Sequence, residues 1–315
     1  MQDAVNGFDV PMLGLKIGEW LEKLEEIVDE DGYLQPLGQR HVAAFVEDKP
    51  TLLVTFETYQ GIQARGDTGQ PLGFELVQAL GWSHLCLLSD GDTWFRDPAV
   101  YAYFDRLVDD GFFEDFKEVV FYGAGPGCAY AAAAFSVAAP GARVVAIQPQ
   151  ATLDPRITGW ETRHMHMRRT SFTDRYGYAP DMLDAAAEAF VIHDPYERLD
   201  AIHAGMFTRS NVTTLRMPFM GANIENDLLE MQLLFRILAK VASGTFNEAA
   251  FYAMARARRS YPPYLERLAT ALQFADRTVL EAVLCANVVC RMKSHKFLHR
   301  LEALEREALG DLEAG

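Results

Sequence analysis

Val119-Val120-Phe121-Tyr122-Gly123-Ala124-Gly125-Pro126-Gly127-Cys128 runs a β-branched, aromatic strand straight into three alternating glycines, and an alanine-rich stretch follows at once. Small residues at such a junction let a helix start close against the strand it leaves. This is the layout of a functional turn at the carboxyl end of a buried parallel strand.

Working outward, strands and helices alternate. Residues 51–56 and 84–88 read as strands buried on both faces, and a helix is expected over 71–80. Asp97-Pro98 supplies an N-cap and an N1 proline for the next helix, which Gly111 closes. Beyond the glycine turn, 142–147, 190–193 and 212–215 read as further strands. Trp20, Leu21, Leu24, Ile27 and Val28 mark an amphipathic helix near the start. These features divide the chain into an N-terminal helical segment (1–45), an α/β core (46–224) and a C-terminal helical region (225–315). The fold class expected is α/β, a mostly parallel sheet with helices on both faces.

The chain has 315 residues, a net charge of −15, half its residues hydrophobic and 23% charged. That acidity argues against nucleic acid as a partner. No apolar run reaches the ~20 residues that span a bilayer. Met1-Gln2-Asp3-Ala4 shows no basic, apolar leader, and Cys86, Cys128, Cys285 and Cys290 have no metal-ligand or CxxC spacing. A reduced, cytoplasmic protein without metal or cofactor is the expectation.

Three chemistries use such a glycine turn. A dinucleotide site, G-x-G-x-x-G, needs glycine at Cys128 and an acidic residue where Gln148 ends the next strand. S-adenosylmethionine binding by a methyltransferase-like strand pair meets the same difficulty at Phe121 and Gln148. In the third, the G-x-S-x-G elbow of hydrolases, the middle residue is the nucleophile.

Two βα units precede the turn and later strands follow it, and Gly-Ala-Gly-Pro-Gly-Cys-Ala-Tyr-Ala-Ala resembles the elbow of serine esterases and acyltransferases of the α/β-hydrolase fold. The resemblance covers about residues 50–225. It implies that Gly125, between Gly123 and Gly127, stands at the nucleophile position and that Asp194 stands at the acid position. The loop Met220-Gly221-Ala222-Asn223, where it would place the histidine, has none. Glu57, Thr58 and Tyr59 leave the first core strand where hydrolases place an oxyanion-hole N–H. The whole chain also resembles uncharacterised bacterial proteins often labelled phosphoadenosine phosphosulfate reductase, yet it lacks an S-G-G-x-D-S loop and a Cys-Gly-hydrophobic-His segment.

With serine and histidine both absent, the expectation is a pseudoenzyme that binds a ligand or partner. The alternative is a hydrolase or acyltransferase with a relocated nucleophile. Cys128, in the first turn of a helix whose N-terminus lowers a thiol pKa, would be that nucleophile. Asp194 and His203 complete the candidate catalytic set. Arg163, Arg168 and Arg169, in an otherwise acidic chain, form a candidate wall for a small anionic or acyl ligand. The stripe Leu298, Leu301, Leu304 and Leu309, with Val279, Leu280, Val283, Leu284, Val288 and Met292 before it, suits a helix packed on the core or a homodimer through the C-terminal helices.

Overall fold

The computed structural model describes residues 10–314 with the exception of Lys49 and Asp67, and side chains as far as Leu309. The N-terminal residues 1–4, on which the absence of a leader was read, lie outside the described residues. Chain contacts divide the protein into two compact units, Met1–Phe251 and Tyr252–Gly315.

The first unit is built on one eight-stranded sheet: β1 (Gly32–Leu37), β2 (His41–Val46), β3 (Thr51–Thr58), β4 (Ser83–Ser89), β5 (Glu118–Ala124), β6 (Arg143–Ile147), β7 (Glu188–His193) and β8 (Val212–Arg216). Their spatial order is β1-β2-β4-β3-β5-β6-β7-β8. β1 and β2 pair antiparallel, as do β2 and β4, and every other pair is parallel. Parallel strands need crossovers, and these are the helices α1 (Ile17–Val28), α2 (Tyr59–Ala64), α3 (Gly73–Leu80), α4 (Pro98–Asp109), α5 (Pro126–Phe135), α6 (Arg198–Ala204), α7 (Ile224–Glu230) and α8 (Leu234–Ala242), except that α1 precedes the sheet and α7 and α8 follow it.

The period-2 alternation of each strand separates two cores. Leu52, Val54 and Phe56 of β3, with Leu85, Leu87 and Phe121, face α4 and α5. Cys86 and Leu88 of β4, with Ala44 and Val46, face Trp20, Leu24, Ile62, Phe74 and Val77 from α1 to α3. Helices on both faces of a mostly parallel sheet in this order make the fold α/β-hydrolase-like. Aromatic rings fill the first core: Phe104 and Phe135 stack at 4.6 Å, and Phe56 lies 5.5 Å from Phe135. Ala131 to Ala134 are fully buried, so the low amphipathicity of α5 reflects burial on all sides.

The strands expected between 51 and 215 form within a residue or two of their expected bounds, and β1 and β2 are additions. Residues 1–45 therefore include strands as well as α1. β1 is an edge strand containing Pro36, which a sequence pattern reads as a break, and Gly38, at φ +71°, turns the hairpin.

The second unit packs α9 (Pro262–Phe274), α10 (Thr278–Met292) and α11 (His295–Ala314) in succession. Leu265, Val288, Phe297 and Leu304 are buried in it, and a charged cluster joins the three helices. Buried Glu281 accepts from Arg300 Nε at 2.7 Å and Nη2 at 2.9 Å, and also from Gln273 Nε2, so all three helices meet at one carboxylate. These bonds hold the Glu281 carboxyl below its ordinary range, Arg300 contributing most. Leu304 is buried in α11 while Leu309 is exposed, so the expected leucine stripe is only partly covered.

Candidate functional site

The sheet brings Gly123, Gly125 and Gly127 to its carboxyl edge, and each is glycine for its own reason. A Cβ on Gly123 would lie 2.2 Å from the Cys128 carbonyl oxygen, so β5 and α5 touch backbone to backbone. One on Gly127 would come 3.2 Å from the Trp94 ring. Gly125 has open space where a side chain would go, but its φ of 80° and ψ of 169° fall in a region that is essentially glycine's alone. Its N–H donates to Ile147 O of β6 at 2.9 Å, which ties the turn to the neighbouring strand.

Asp194 follows β7 and is buried. Its Oδ1 accepts the Tyr196 N–H at 2.9 Å and its Oδ2 accepts the Gly221 N–H at 2.7 Å. Gly221 belongs to the loop after β8, where the hydrolase resemblance would put the histidine. A backbone amide of that loop thus occupies one carboxylate oxygen. The same loop is anchored by Gln148, whose Nε2 donates to Gly221 O at 3.3 Å and to Asp200 Oδ2 at 3.0 Å.

His203 lies fully buried on α6, engaged at both ring nitrogens. Nδ1 accepts the Ala151 N–H at 3.2 Å, which leaves the proton of the neutral ring on Nε2, 3.2 Å from Glu161 Oε2. Burial, partly opposed by Glu161, pushes its pKa down to about 4. Burial works against the charge on Glu161, but its bonds to Arg163 outweigh that and bring it to about 2. Arg163 Nη2 donates to Glu161 at 2.7 Å and Nη1 to Asp200 at 2.6 Å. Arg163 is therefore committed to two buried carboxylates, while Arg168 and Arg169 are exposed.

Cys128 sits in the first turn of α5, as expected, among groups that disfavour its thiolate. Burial pushes its pKa up, and the carboxylates of Glu225, Glu57 and Asp92 push the same way. Local charge and desolvation act against the helix N-terminus there. The residues leaving β3 are likewise occupied. Thr58 caps α2, its Oγ1 accepting the Gly61 N–H at 2.9 Å, and Tyr59 donates its hydroxyl to Leu15 O.

Glu57 is the centre of a network not legible in the sequence. Its carboxylate accepts from Arg65 Nη2, from the Leu72 N–H at 3.1 and 3.2 Å and from Thr55 Oγ1 at 2.8 Å. Arg65 Nη1 also reaches Glu225 Oε1 at 3.4 Å, which takes the Tyr122 hydroxyl at 2.6 Å. Among the described residues, Glu57, His84 and Cys86 form a buried O, N, S donor set within 4.8 Å, the one group of metal-ligand type. The i, i+2 pair on β4 was its only sequence signal. An entering cation would meet the Arg65 guanidinium on the same carboxylate, and Thr55 Oγ1 already lies 2.8 Å from His84 Nε2. The set fits a closed polar core better than a metal.

No protein-family model matches the chain, and no curated protein matches its sequence. Among solved structures it is similar to Est1E from Butyrivibrio proteoclasticus (TM-score 0.42, 12% identity, covering 68% of this chain and 100% of that one). It is also similar to a Pyrobaculum calidifontis esterase (TM-score 0.45, 14% identity, 75% and 94% covered). A third is XC6422 from Xanthomonas campestris, described as an α/β serine hydrolase without lid (TM-score 0.32, 14% identity, 60% and 84% covered). The fold description above rests on this chain's own strand order. The phosphosulfate reductase label gains no support from these similarities.

Proposed function

We propose that this chain is a non-catalytic member of the α/β-hydrolase fold, whose work is to bind a ligand or partner. The observation that carries the reading is the Gly221 N–H on Asp194 Oδ2, with Gly125 at the nucleophile position. The loop 220–223 offers Asp194 no histidine to orient and presents the Gly221 N–H in its place, and without attacking oxygen and base only binding and oxyanion stabilisation remain. His203 offers no substitute, since both nitrogens are engaged in the core.

The catalytic alternative through Cys128 requires a thiolate, and three carboxylates disfavour one there. Nucleotide or S-adenosylmethionine binding at the turn would need a carboxylate at the end of β6. Gln148 stands there and is bonded to Asp200, Gly221 and Ile224. The binding reading places a small acyl or anionic ligand in the open space at Gly125. Trp94, whose buried Nε1–H has no hydrogen-bond partner among the described residues, lies close by against Gly127. Assay of ester and thioester hydrolysis by the purified protein tests the reading, with a blank rate expected.

A further inference from the structure

The turn after β5 departs from a hydrolase elbow at one more position. The oxyanion hole of such an elbow takes one N–H from the residue after the nucleophile. Here that residue is Pro126, at the start of α5, which has no N–H to give. The elbow's share of oxyanion stabilisation is therefore gone together with the nucleophile. Two buried side-chain atoms beside the same turn have no hydrogen-bond partner among the described residues, Trp94 Nε1 and Gln150 Oε1. Trp94 is 2% exposed and Gln150 0%. The indole lies on the turn: its Cε2, the atom bonded to Nε1, is 3.4 Å from where a Cβ on Gly127 would be. The Gln150 N–H donates to Pro126 O at 3.4 Å. Gln150 is not free to present either end of its amide. Its Nε2 donates to Glu161 Oε2 at 3.3 Å, and an ionised carboxylate only accepts, so Oε1 is the end left over.

We propose that Trp94 and Gln150 recognise an uncharged carboxamide, the indole Nε1–H donating to its carbonyl oxygen and Gln150 Oε1 accepting from its N–H. This rests on the binding reading above and narrows its ligand. A buried donor and a buried acceptor left unpaired are costly, and an amide satisfies both at once. An ester carries no donor for Oε1. A carboxylate sets its own oxygens against Oε1. It also meets the carboxylates of Glu225, Glu57 and Asp92, which after burial push the Cys128 thiol up, with Arg65 opposing. An alcohol carries donor and acceptor on one oxygen. Trp94 packs on Gly127 and Gln150 is tied to Pro126, neighbouring places that the two atoms of an amide match better. The His164 ring stands edge-on to the indole, centroids 4.7 Å apart, so the ligand reaches Nε1 by displacing it.

The test uses the intact chain, isotopically labelled at its four tryptophans for nuclear magnetic resonance. Trp94→Phe identifies the Trp94 indole signal by deleting it. Hexanamide should shift that signal and bind most tightly by calorimetry. Methyl hexanoate, lacking one neutral hydrogen bond, should bind about two- to tenfold more weakly. Hexan-1-ol should also bind more weakly than hexanamide, and hexanoate most weakly of all. Trp94→Phe should weaken hexanamide and methyl hexanoate alike, and Gln150→Met should remove the preference for amide over ester. His164→Ala should keep both the shift and the ranking. Circular dichroism should be unchanged in each variant; should Gln150→Met misfold, the wild-type ranking and the loss of affinity in Trp94→Phe still decide. No shift at Trp94, tighter binding of hexanoate or hexan-1-ol, or an affinity indifferent to Trp94→Phe overturns the inference and leaves the binding reading standing. Hydrolysis of methyl hexanoate during the titration overturns that reading, and the inference with it.

Discussion

The Gly221 N–H donates to Asp194 Oδ2 at 2.7 Å, a bond between the end of β7 and the loop after β8. With the Tyr196 N–H on Oδ1, it turns the carboxylate at the acid position into a fastener for two backbone segments. Replacing Asp194 by Ala leaves two amides without their acceptor. Each hydrogen bond to a charged group contributes about 1.5–3 kcal/mol. A clearly lowered urea midpoint is expected, with no change in any acyl-hydrolysis blank; an unaltered midpoint would contradict the fastening role.

The two elbow glycines separate steric cost from backbone cost. Gly123→Ala drives a methyl into the Cys128 carbonyl, which belongs to backbone and cannot swing away. Gly125→Ala meets no atom within 4 Å and costs only the strained dihedrals, about 1–3 kcal/mol. The Gly123 variant is expected to be the less stable of the two by thermal unfolding, and the reverse order would contradict the close strand–helix approach.

Glu57 and Arg65 form a buried ion pair in which Glu57, although desolvated, is held below its ordinary range by the guanidinium. Removing one partner of such a pair costs about 3–5 kcal/mol. Arg65→Met should therefore destabilise strongly, and Glu57→Gln/Arg65→Met should recover part of the loss. Denaturant midpoints of Arg65→Met, Glu57→Gln and the double variant decide; a double variant no more stable than Arg65→Met would be inconsistent with this pairing.

His84 and His203 are both buried and pushed down to about 4 from an ordinary 6.5, burial being the main cause for each. Between those values the unfolded chain binds more protons than the folded one, so stability rises with pH there and is lost as pH falls from about 6.5 toward 4. The combined effect is on the order of a few kcal/mol. Denaturation midpoints taken across that window should fall with acidification, and His203→Gln should flatten the slope. A slope unchanged by that substitution would mean that His203 is not buried neutral.

Much of the fold was legible because parallel strands buried on both faces are continuous apolar runs, as at Thr51–Thr58 and Ser83–Ser89, and because Asp97-Pro98 and the glycine turn mark where helices begin. The hairpin β1–β2 was not, since an edge strand holding Pro36 carries little apolar signal. Gly125, Asp194 and the histidine-free loop could be placed by strand order alone. What the residues do there could not. Arg65 meets Glu225 across 160 residues of sequence, and Cys128 is buried in the field of Glu225, Glu57 and Asp92, from three distant segments, with Arg65 opposing them. No local pattern encodes such neighbours, so a helix N-terminus suggested an activated thiol where the assembled field opposes one.

Hydrolysis of p-nitrophenyl esters and acyl thioesters by purified wild-type protein beside Cys128→Ala tests most directly whether the fold has lost acyl chemistry. Both proteins are expected to give the rate of the buffer blank. Turnover that follows the wild-type protein through purification and vanishes in Cys128→Ala would contradict that loss and make the cysteine a nucleophile.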